Sequence, residues 1–135
     1  MAGVIQAQSL GTKYVLDAAA LDRIRRVLRE GGLVVYPTDT AYGLGADPFL
    51  DAAVARLYKV KVRPRDQPVS MAVADLAEVF RFGERTPLSE AFCTKNLPGP
   101  YTVVLRATPH APRAIVSPTG GIALHPGPGG HPKSP

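Results

Sequence analysis

Residues 37–46 form the first of three stretches whose side chains are suited to binding a small polar molecule. Two hydroxyls, a carboxylate and a phenol occur within five residues, at Thr38, Asp39, Thr40 and Tyr42. Such groups accept hydrogen bonds, and the hydroxyls also donate them. The stretch follows an apolar run, and ligands of open α/β sheets bind beyond the carboxyl ends of strands. The alternative is a turn in which Thr and Asp side chains bond local backbone amides.

Residues 56–65 form the second stretch and hold five of the chain's sixteen basic residues, Arg56, Lys59, Lys61, Arg63 and Arg65. If this segment is extended, the last three side chains share one side, because alternate strand residues face the same way. Arginine presents a fork of donors and lysine a point charge, which together suit a triphosphate. The same cluster would suit an RNA backbone. The alternative is the solvated basic end of a helix.

Residues 98–102 form the third stretch. Pro98, Gly99 and Pro100 predict a stiff turn ahead of a strand at 101–105, which is rich in β-branched residues. Such a turn would present the hydroxyl of Thr102 to a ligand. The alternative is a turn with no binding role.

Several common site motifs do not occur in the sequence. It has no Walker-type loop, no glycine fingerprint for a dinucleotide and no His/Cys spacing typical of a metal site. His110, His125 and His131 lie in Pro- and Gly-rich surroundings, where we expect them to be exposed. The sequence therefore predicts neither a metal site nor an organic cofactor.

Alternating helices and strands must position these stretches. Asp17 is suited to cap a helix that ends before Gly31 and Gly32. A strand at 33–36 follows, apolar throughout and so predicted to be buried on both faces. Further helices are predicted from Asp51, at 75–80 and at 87–95, and further strands at 69–74 and 101–105. This order predicts an α/β fold with a twisted, mixed sheet and flanking helices.

Length and composition predict one domain over residues 1–135, since 45% of the residues are hydrophobic and 20% are charged. Ten of the last 19 residues are Gly or Pro, so residues 117–135 are predicted to form an irregular tail, with room for one short strand at 122–124. The net charge is +5, and the excess of Lys and Arg lies after residue 55.

The single cysteine, Cys93, cannot form an internal disulfide, which suits a reducing compartment, and we expect it to serve in packing. No apolar stretch approaches the roughly 20 residues that cross a bilayer. These features predict a cytoplasmic protein with no membrane partner.

Taken together, the three stretches resemble the Sua5/YciO/YrdC family. The segment 33–44, which runs Leu-Val-Val-Tyr-Pro-Thr-Asp-Thr-Ala-Tyr-Gly-Leu, is similar to the family's signature loop. Lys61-Val62-Arg63-Pro64 resembles its Lys-x-Arg-Pro segment, and the segment 98–102 resembles its Pro-Gly-Pro-x-Thr turn. The resemblance covers roughly residues 15–120 and implies a YrdC/RibB-like fold.

The resemblance also implies an activity, a nucleotidyl transfer that makes threonylcarbamoyl adenylate from L-threonine, bicarbonate and ATP for the t6A37 modification of tRNA. It implies that Lys61 and Arg63 are catalytic and bind the nucleotide phosphates, with Thr102 near the nucleotide. The shared side of the basic stretch adds Arg65 to the predicted nucleotide ligands. It assigns Thr38, Thr40 and Tyr42 to threonine, and brings Mg²⁺ with the ATP, held mainly by ATP and water.

The sequence departs from the family pattern after the Pro-Gly-Pro turn. Where the family carries Val-Gly-x-Arg-x-Pro, this chain reads Ile122-Ala123-Leu124-His125-Pro126, with His125 near the expected arginine. The family's later Ser-x-Asn motif does not occur. Two alternatives to catalysis therefore stay open, a non-catalytic module that binds a nucleotide or double-stranded RNA, and an inert structural remnant. A homodimer that covers an exposed sheet edge is also expected.

Overall fold

A computed structural model of the chain describes residues 3–6, 8–10, 13–37, 41–97 and 99–126. The helices within these ranges are α1 (Ala18–Arg29), α2 (Asp51–Lys61), α3 (Leu76–Phe82) and α4 (Pro87–Asn96), with a short 3-10 helix at Arg113–Ile115. The strands are β1 (Gln8–Leu10), β2 (Lys13–Val15), β3 (Val34–Pro37), β4 (Tyr42–Gly45), β5 (Met71–Val73), β6 (Val103–Arg106) and β7 (Gly121–Pro126).

The chain forms two compact units, which divide between Leu57 and Tyr58. The first unit contains two antiparallel pairs of strands, β1 with β2 and β3 with β4, together with α1. The second contains one three-stranded sheet with α3 and α4. The single domain predicted over residues 1–135 stays a prediction.

Helix α1 begins and ends where its sequence predicts. The side chain of Asp17 accepts the backbone N–H of Ala20 at 2.7 Å, which satisfies one of the free donors of the first turn. At the other end Gly31 adopts a left-handed φ of 84°, and Gly32 N–H donates to the Val27 carbonyl at 2.8 Å. This is a Schellman motif, in which glycine is the favoured residue. The helix predicted over 18–30 is confirmed to within one residue.

Strands β3 and β4 form an antiparallel hairpin rather than part of a buried sheet. Val35 is 66% exposed and Tyr36 is 41% exposed, so the predicted burial on both faces is wrong. Successive strand residues point to opposite faces, and here neither face is fully covered. Residues 42–45, predicted to lie in a loop, form β4 because their backbone pairs with residues 34–37.

The second unit is built around a mixed sheet in the order β5-β7-β6. β7 runs parallel to β5 and antiparallel to β6, with Leu124 opposite both Met71 and Val103. The predicted mixed sheet is therefore confirmed. Val79, Ile122 and Leu124 have no exposed surface and form the centre of the core.

Residues 121–126 contradict the predicted irregular tail over 117–135, because they form β7, the central strand of this sheet. The Gly and Pro content of the segment argued against regular structure. Burial of Ile122 and Leu124, together with pairing on both sides, outweighs that local preference. The short strand expected at 122–124 is confirmed and is longer than expected. Residues 127–135 lie outside the described part of the chain.

Side chains cap both helices of the second unit, and the one at Asp75 lies where the helix was predicted to begin. Asp75 accepts the Glu78 backbone N–H at 2.9 Å, and Thr86 and Ser89 form a reciprocal capping box at the start of α4.

Cys93 on α4 is buried, as expected for packing, and desolvation raises the pKa of its thiol above the usual value. Among the described residues, no helix has both the length and the apolar character needed to span a bilayer.

Candidate functional site

The segment 61–68, which we call the cationic turn, begins where α2 ends at Lys61. Val62 adopts a left-handed φ of 51°, and its N–H donates to the Lys59 carbonyl at 3.2 Å. Arg63 N–H donates to the Tyr58 carbonyl at 3.0 Å, which completes a Schellman motif. The extended conformation considered for this segment is therefore wrong, because residues up to 61 are helical and residue 62 reverses the chain direction.

Val62 occupies a position where glycine is usual and a β-branched residue is strained. The left-handed conformation costs a non-glycine residue about 1–2 kcal/mol. The side chain of Val62 is 89% exposed, so no burial offsets this cost. Backbone strain of this kind persists where the surrounding structure fixes it, and it is concentrated at functional sites.

We expect Val62→Gly to raise the free energy of unfolding by about 0.5–1 kcal/mol, because glycine adopts this φ without strain but loses more entropy on folding. A rise of about 2–4 °C in Tm should follow in a thermal unfolding experiment. Val60→Gly is the matched control, since Val60 lies in α2 and is 59% exposed. It should lower Tm, because glycine destabilises a helix interior. Equal shifts in the two variants would contradict a strained Val62.

Arg63 stabilises the cationic turn from within. Its guanidinium donates from Nε to the Gln67 carbonyl at 2.9 Å and from Nη2 to the Pro68 carbonyl at 3.0 Å. A guanidinium carries five N–H donors, so three remain outside these two bonds. Arg63 is half-buried and can hold the turn while it directs its other donors to an anion. Its predicted role as a phosphate ligand stays a prediction.

Tyr58 stabilises the same turn, and the sequence did not assign it to the site. It is 3% exposed, its hydroxyl donates to the Gln67 carbonyl at 3.0 Å, and the guanidinium of Arg65 lies over its ring at 4.7 Å from the centroid. Val54, Leu57 and Tyr58 have the spacing of one helix face in the helix predicted from Asp51. The spacing carried no signal for the contacts of the ring and hydroxyl with residues seven and nine positions later.

Lys61 differs from its two arginine neighbours in the turn. It is exposed at the last position of α2, and no hydrogen bond or ion pair of its side chain is seen with the described residues. Lysine near a helix C-terminus interacts favourably with the helix dipole, which is the structural role open to both Lys59 and Lys61. Of the predicted phosphate ligands in this turn, Lys61 therefore has its charge most available to a ligand.

Thr102 lies at the start of β6 and contacts a histidine that the sequence did not assign to the site. Its Oγ1 is 3.2 Å from Nδ1 of His125 on β7, and the same nitrogen is 3.1 Å from the Tyr101 carbonyl oxygen. Thr102 is exposed and His125 is half-buried. The expectation of exposed histidines therefore holds for His110 but not fully for His125, and His131 lies outside the described residues.

The structure describes residues 33–37 and 41–44 of the segment that resembles the signature loop. Tyr42 begins β4, pairs with Pro37 and is 78% exposed. Gly43 lies under the ring of its cross-strand partner Tyr36, and an added Cβ would come within 2.5 Å of that ring. The absence of a side chain at Gly43 thus accommodates Tyr36. Thr38 and Thr40 lie outside the described residues, so the predicted threonine contacts stay predictions.

In the first unit, Arg56 and Arg25 each bond to a group within that unit. Arg56, part of the predicted basic stretch, donates to the Gly31 carbonyl at 2.9 Å and so links α2 to the end of α1. A shallow groove of about 460 Å³ along α1 is lined by Asp22, Arg25, Arg26, Arg29 and Glu30. Arg25 pairs with Asp22 at 3.3 Å, and the two acids leave the groove a small positive excess.

Potential metal ligands are dispersed over the described parts of the chain. No group of three or more His, Cys, Asp or Glu side chains there is arranged to hold a metal ion.

Comparison with protein families finds one family model over most of the chain. The model Sua5_yciO_yrdC, described as telomere recombination, matches residues 26–125. The threonylcarbamoyl-AMP synthase of Xanthomonas euvesicatoria is 35% identical over 112 residues, which are 80% of this chain and 59% of that protein. This chain therefore spans less than two thirds of the length of that relative.

Solved structures share the fold. Pyrococcus abyssi Sua5, complexed with L-threonine, matches with a TM-score of 0.72 and 30% identity, over 82% of this chain and 33% of the Sua5 chain. E. coli YciO matches with a TM-score of 0.69 and 25% identity, over 78% of this chain and 52% of its own. The predicted α/β fold is confirmed by these likenesses.

Proposed function

The chain belongs to the Sua5/YciO/YrdC family, and on this premise we propose that it makes threonylcarbamoyl-AMP from L-threonine, bicarbonate and ATP. The product would serve the t6A37 modification of tRNA. The names of the relatives support the reaction, and the L-threonine in the Pyrococcus abyssi structure supports one of the substrates. Cytoplasmic location, expected from the sequence, accompanies this proposal because the substrates and tRNA are found there.

The cationic turn is the observation that carries the proposal. In the proposed reaction, the threonine amine and bicarbonate give an N-carboxylate with loss of water. An oxygen of this carboxylate forms a bond to the α-phosphorus of ATP, and the bond from that phosphorus to pyrophosphate breaks. Negative charge develops around the phosphates, where fixed cations stabilise the transition state. Lys61 and Arg63 would fill that role, because Lys61 has no partner among the described residues and Arg63 is held by two bonds within its own turn.

The other predicted contacts complete the substrate set. Arg65 and Thr102 would contact the nucleotide, and Thr38, Thr40 and Tyr42 would contact threonine. Mg²⁺ would come bound to ATP and neutralise part of its charge, with most of its ligands supplied by phosphate oxygens and water. No organic cofactor enters the proposed reaction.

Pyrophosphate release tests the proposal directly. The purified chain is incubated with ATP, Mg²⁺ and bicarbonate, with and without L-threonine, and pyrophosphate is measured. We expect release that depends on threonine, while D-threonine serves as the matched control with the same charge and composition. A folded protein that releases no pyrophosphate with L-threonine would overturn the proposed catalysis.

The same experiment separates catalysis from a non-catalytic binding module. The basic stretch 56–65 is the observation that favours this second candidate, since its charge suits a phosphate backbone without any catalytic step. A binding module would show a rise in Tm with ATP or with double-stranded RNA but no pyrophosphate. RNA bound through residues 56–65 would be released steeply as salt concentration rises. A homodimer through a sheet edge stays a prediction.

A further inference from the structure

Tyr58 contacts both ends of a β-turn that carries one of the predicted phosphate ligands. Gln67 N–H donates to the Pro64 carbonyl at 3.1 Å, so residues 64–67 form a turn with Arg65 at its second position. The hydroxyl of Tyr58 donates to the carbonyl of Gln67, the last residue of this turn, at 3.0 Å. Its ring lies under the guanidinium of Arg65, 4.7 Å from the ring centroid. A single side chain from the last turn of α2 therefore spans the β-turn.

The ring of Tyr58 restricts where the charge of Arg65 lies. A cation over an aromatic face is attracted by the electrons of the ring, and a planar guanidinium keeps its N–H donors at its edge in that position. Arg65 is exposed, and no hydrogen bond or ion pair of its side chain is seen with the described residues. Its position is thus limited before any ligand arrives, while its donors stay available. A group ordered in advance costs a ligand less entropy on binding.

The hydroxyl of Tyr58 is connected to the second arginine of the turn through one atom. The Gln67 carbonyl oxygen that accepts from Tyr58 also accepts from Nε of Arg63, at 2.9 Å. A carbonyl oxygen has two lone pairs, so these two donors fill its capacity. Since Tyr58 is only 3% exposed, its buried hydroxyl fixes the carbonyl on which Arg63 is held.

The charge of this segment is not cancelled from within. Residues 59–68 hold four cationic side chains and one carboxylate, that of Asp66. Asp66 is exposed and forms no ion pair with the described residues. An anion that approaches the turn therefore meets a net positive charge, carried in part by the two arginines that Tyr58 contacts or orders.

We propose that Tyr58 is a positioning residue for the phosphates of the nucleotide. Its ring holds Arg65, and its hydroxyl holds, through the Gln67 carbonyl, the turn to which Arg63 is bonded. Tyr58 itself is buried and donates its hydroxyl hydrogen within the turn, so it acts through the arginines rather than by contact with the nucleotide. This inference rests on the proposed nucleotide binding and adds the residue that determines where the cations lie. The alternative is a core residue whose loss weakens the fold alone.

Two substitutions separate the contribution of the hydroxyl from that of the ring. Tyr58→Phe removes the bond to Gln67 and keeps the ring under Arg65, whereas Tyr58→Leu removes both. We expect ATP to bind about threefold more weakly to Tyr58→Phe and about tenfold more weakly to Tyr58→Leu. Adenosine has no phosphate and should bind all folded variants alike. Calorimetry with ATP and with adenosine measures both affinities, after circular dichroism has confirmed the fold.

Arg65→Ala shows whether the ring acts through this arginine. In the Arg65→Ala background, Tyr58→Leu should weaken ATP binding no more than Tyr58→Phe does, because residues that act through one contact are not additive. Arg81→Ala is the matched control, since Arg81 is exposed and lies over the Phe82 ring in the same unit, at 5.6 Å. It should leave both the ATP affinity and the effect of Tyr58→Leu unchanged.

A role in the fold alone would lower Tm without changing the preference for ATP over adenosine. This inference is overturned if Tyr58→Phe binds ATP as the wild-type chain does, or if ATP and adenosine lose equal affinity. It is also overturned if the effect of Tyr58→Leu is the same with and without Arg65. Tyr58→Phe keeps the shape of the side chain, so it decides the matter even if Tyr58→Leu unfolds.

The outcome is distinguishable from that of the proposed reaction. If ATP binding depends on Tyr58 as expected but no pyrophosphate is released, the positioning role stands and the proposed catalysis fails. If ATP binds to the wild-type chain without this dependence, the positioning role fails and the proposed reaction is unaffected. If the wild-type chain does not bind ATP, both fail.

Discussion

Replacing Lys61 with alanine should reduce threonine-dependent pyrophosphate release by at least about 100-fold, because it removes a cation from the charge that develops in phosphoryl transfer. Lys61 is the exposed last residue of α2, and the structure gives its ammonium group no described protein partner. Its loss should therefore leave the fold intact. The rate of pyrophosphate release at saturating ATP and threonine is the quantity to measure.

Lys59→Ala is the matched control for this experiment. Lys59 and Lys61 both lie in the last turn of α2 and are both exposed. Each positive charge interacts favourably with the negative end of the helix dipole. Each alanine variant should change the free energy of unfolding by less than about 1 kcal/mol. Only Lys61→Ala should lose activity. Equal activity losses in the two variants would show that general positive charge, rather than the position of Lys61, supports the reaction.

The difference between Lys61 and Arg63 shows what sequence spacing could predict at this site. The resemblance identified both residues, and their charge suggested a phosphate ligand. Of the two conformations considered, the structure shows the basic end of a helix rather than an extended segment, because α2 continues to Lys61 and Val62 adopts a left-handed φ. The two bonds from Arg63 to backbone carbonyls also depend on that turn, which no periodicity encodes.

The first helix shows the opposite case, in which local signals suffice. Asp17 and Gly31 define α1 through bonds within a few residues of the chain, so their side-chain types predict its ends. His125 and Thr102 lie 23 residues apart and meet only because β6 and β7 pair in one register. Such a contact depends on sheet topology, and the strand expected at 122–124 ends one residue before His125, with no signal for its pairing partners.

Replacing Leu124 with alanine should lower the free energy of unfolding by about 2–5 kcal/mol, the range seen when a buried leucine is truncated in a core. Leu124 has no exposed surface and lies on the central strand, opposite Met71 on β5 and Val103 on β6. Its Cδ1 also lies 3.1 Å from the position a Cβ would take on Gly83, after α3. Since small proteins are stable by only about 5–15 kcal/mol, much of the stability should be lost. Urea unfolding followed by circular dichroism measures it.

Val104→Ala is the matched control on the opposite face of the same sheet. Val104 pairs with Ala123, next to Leu124 in the chain, and is 70% exposed. Its truncation should change the free energy of unfolding by less than about 1 kcal/mol, because little buried apolar surface is lost. If residues 117–135 were an irregular tail, Leu124→Ala would have an equally small effect. A large difference between the two variants would show that β7 stabilises the sheet through its pairing with β5 and β6. The pairing of β6 with β7 also brings Thr102 and His125 together.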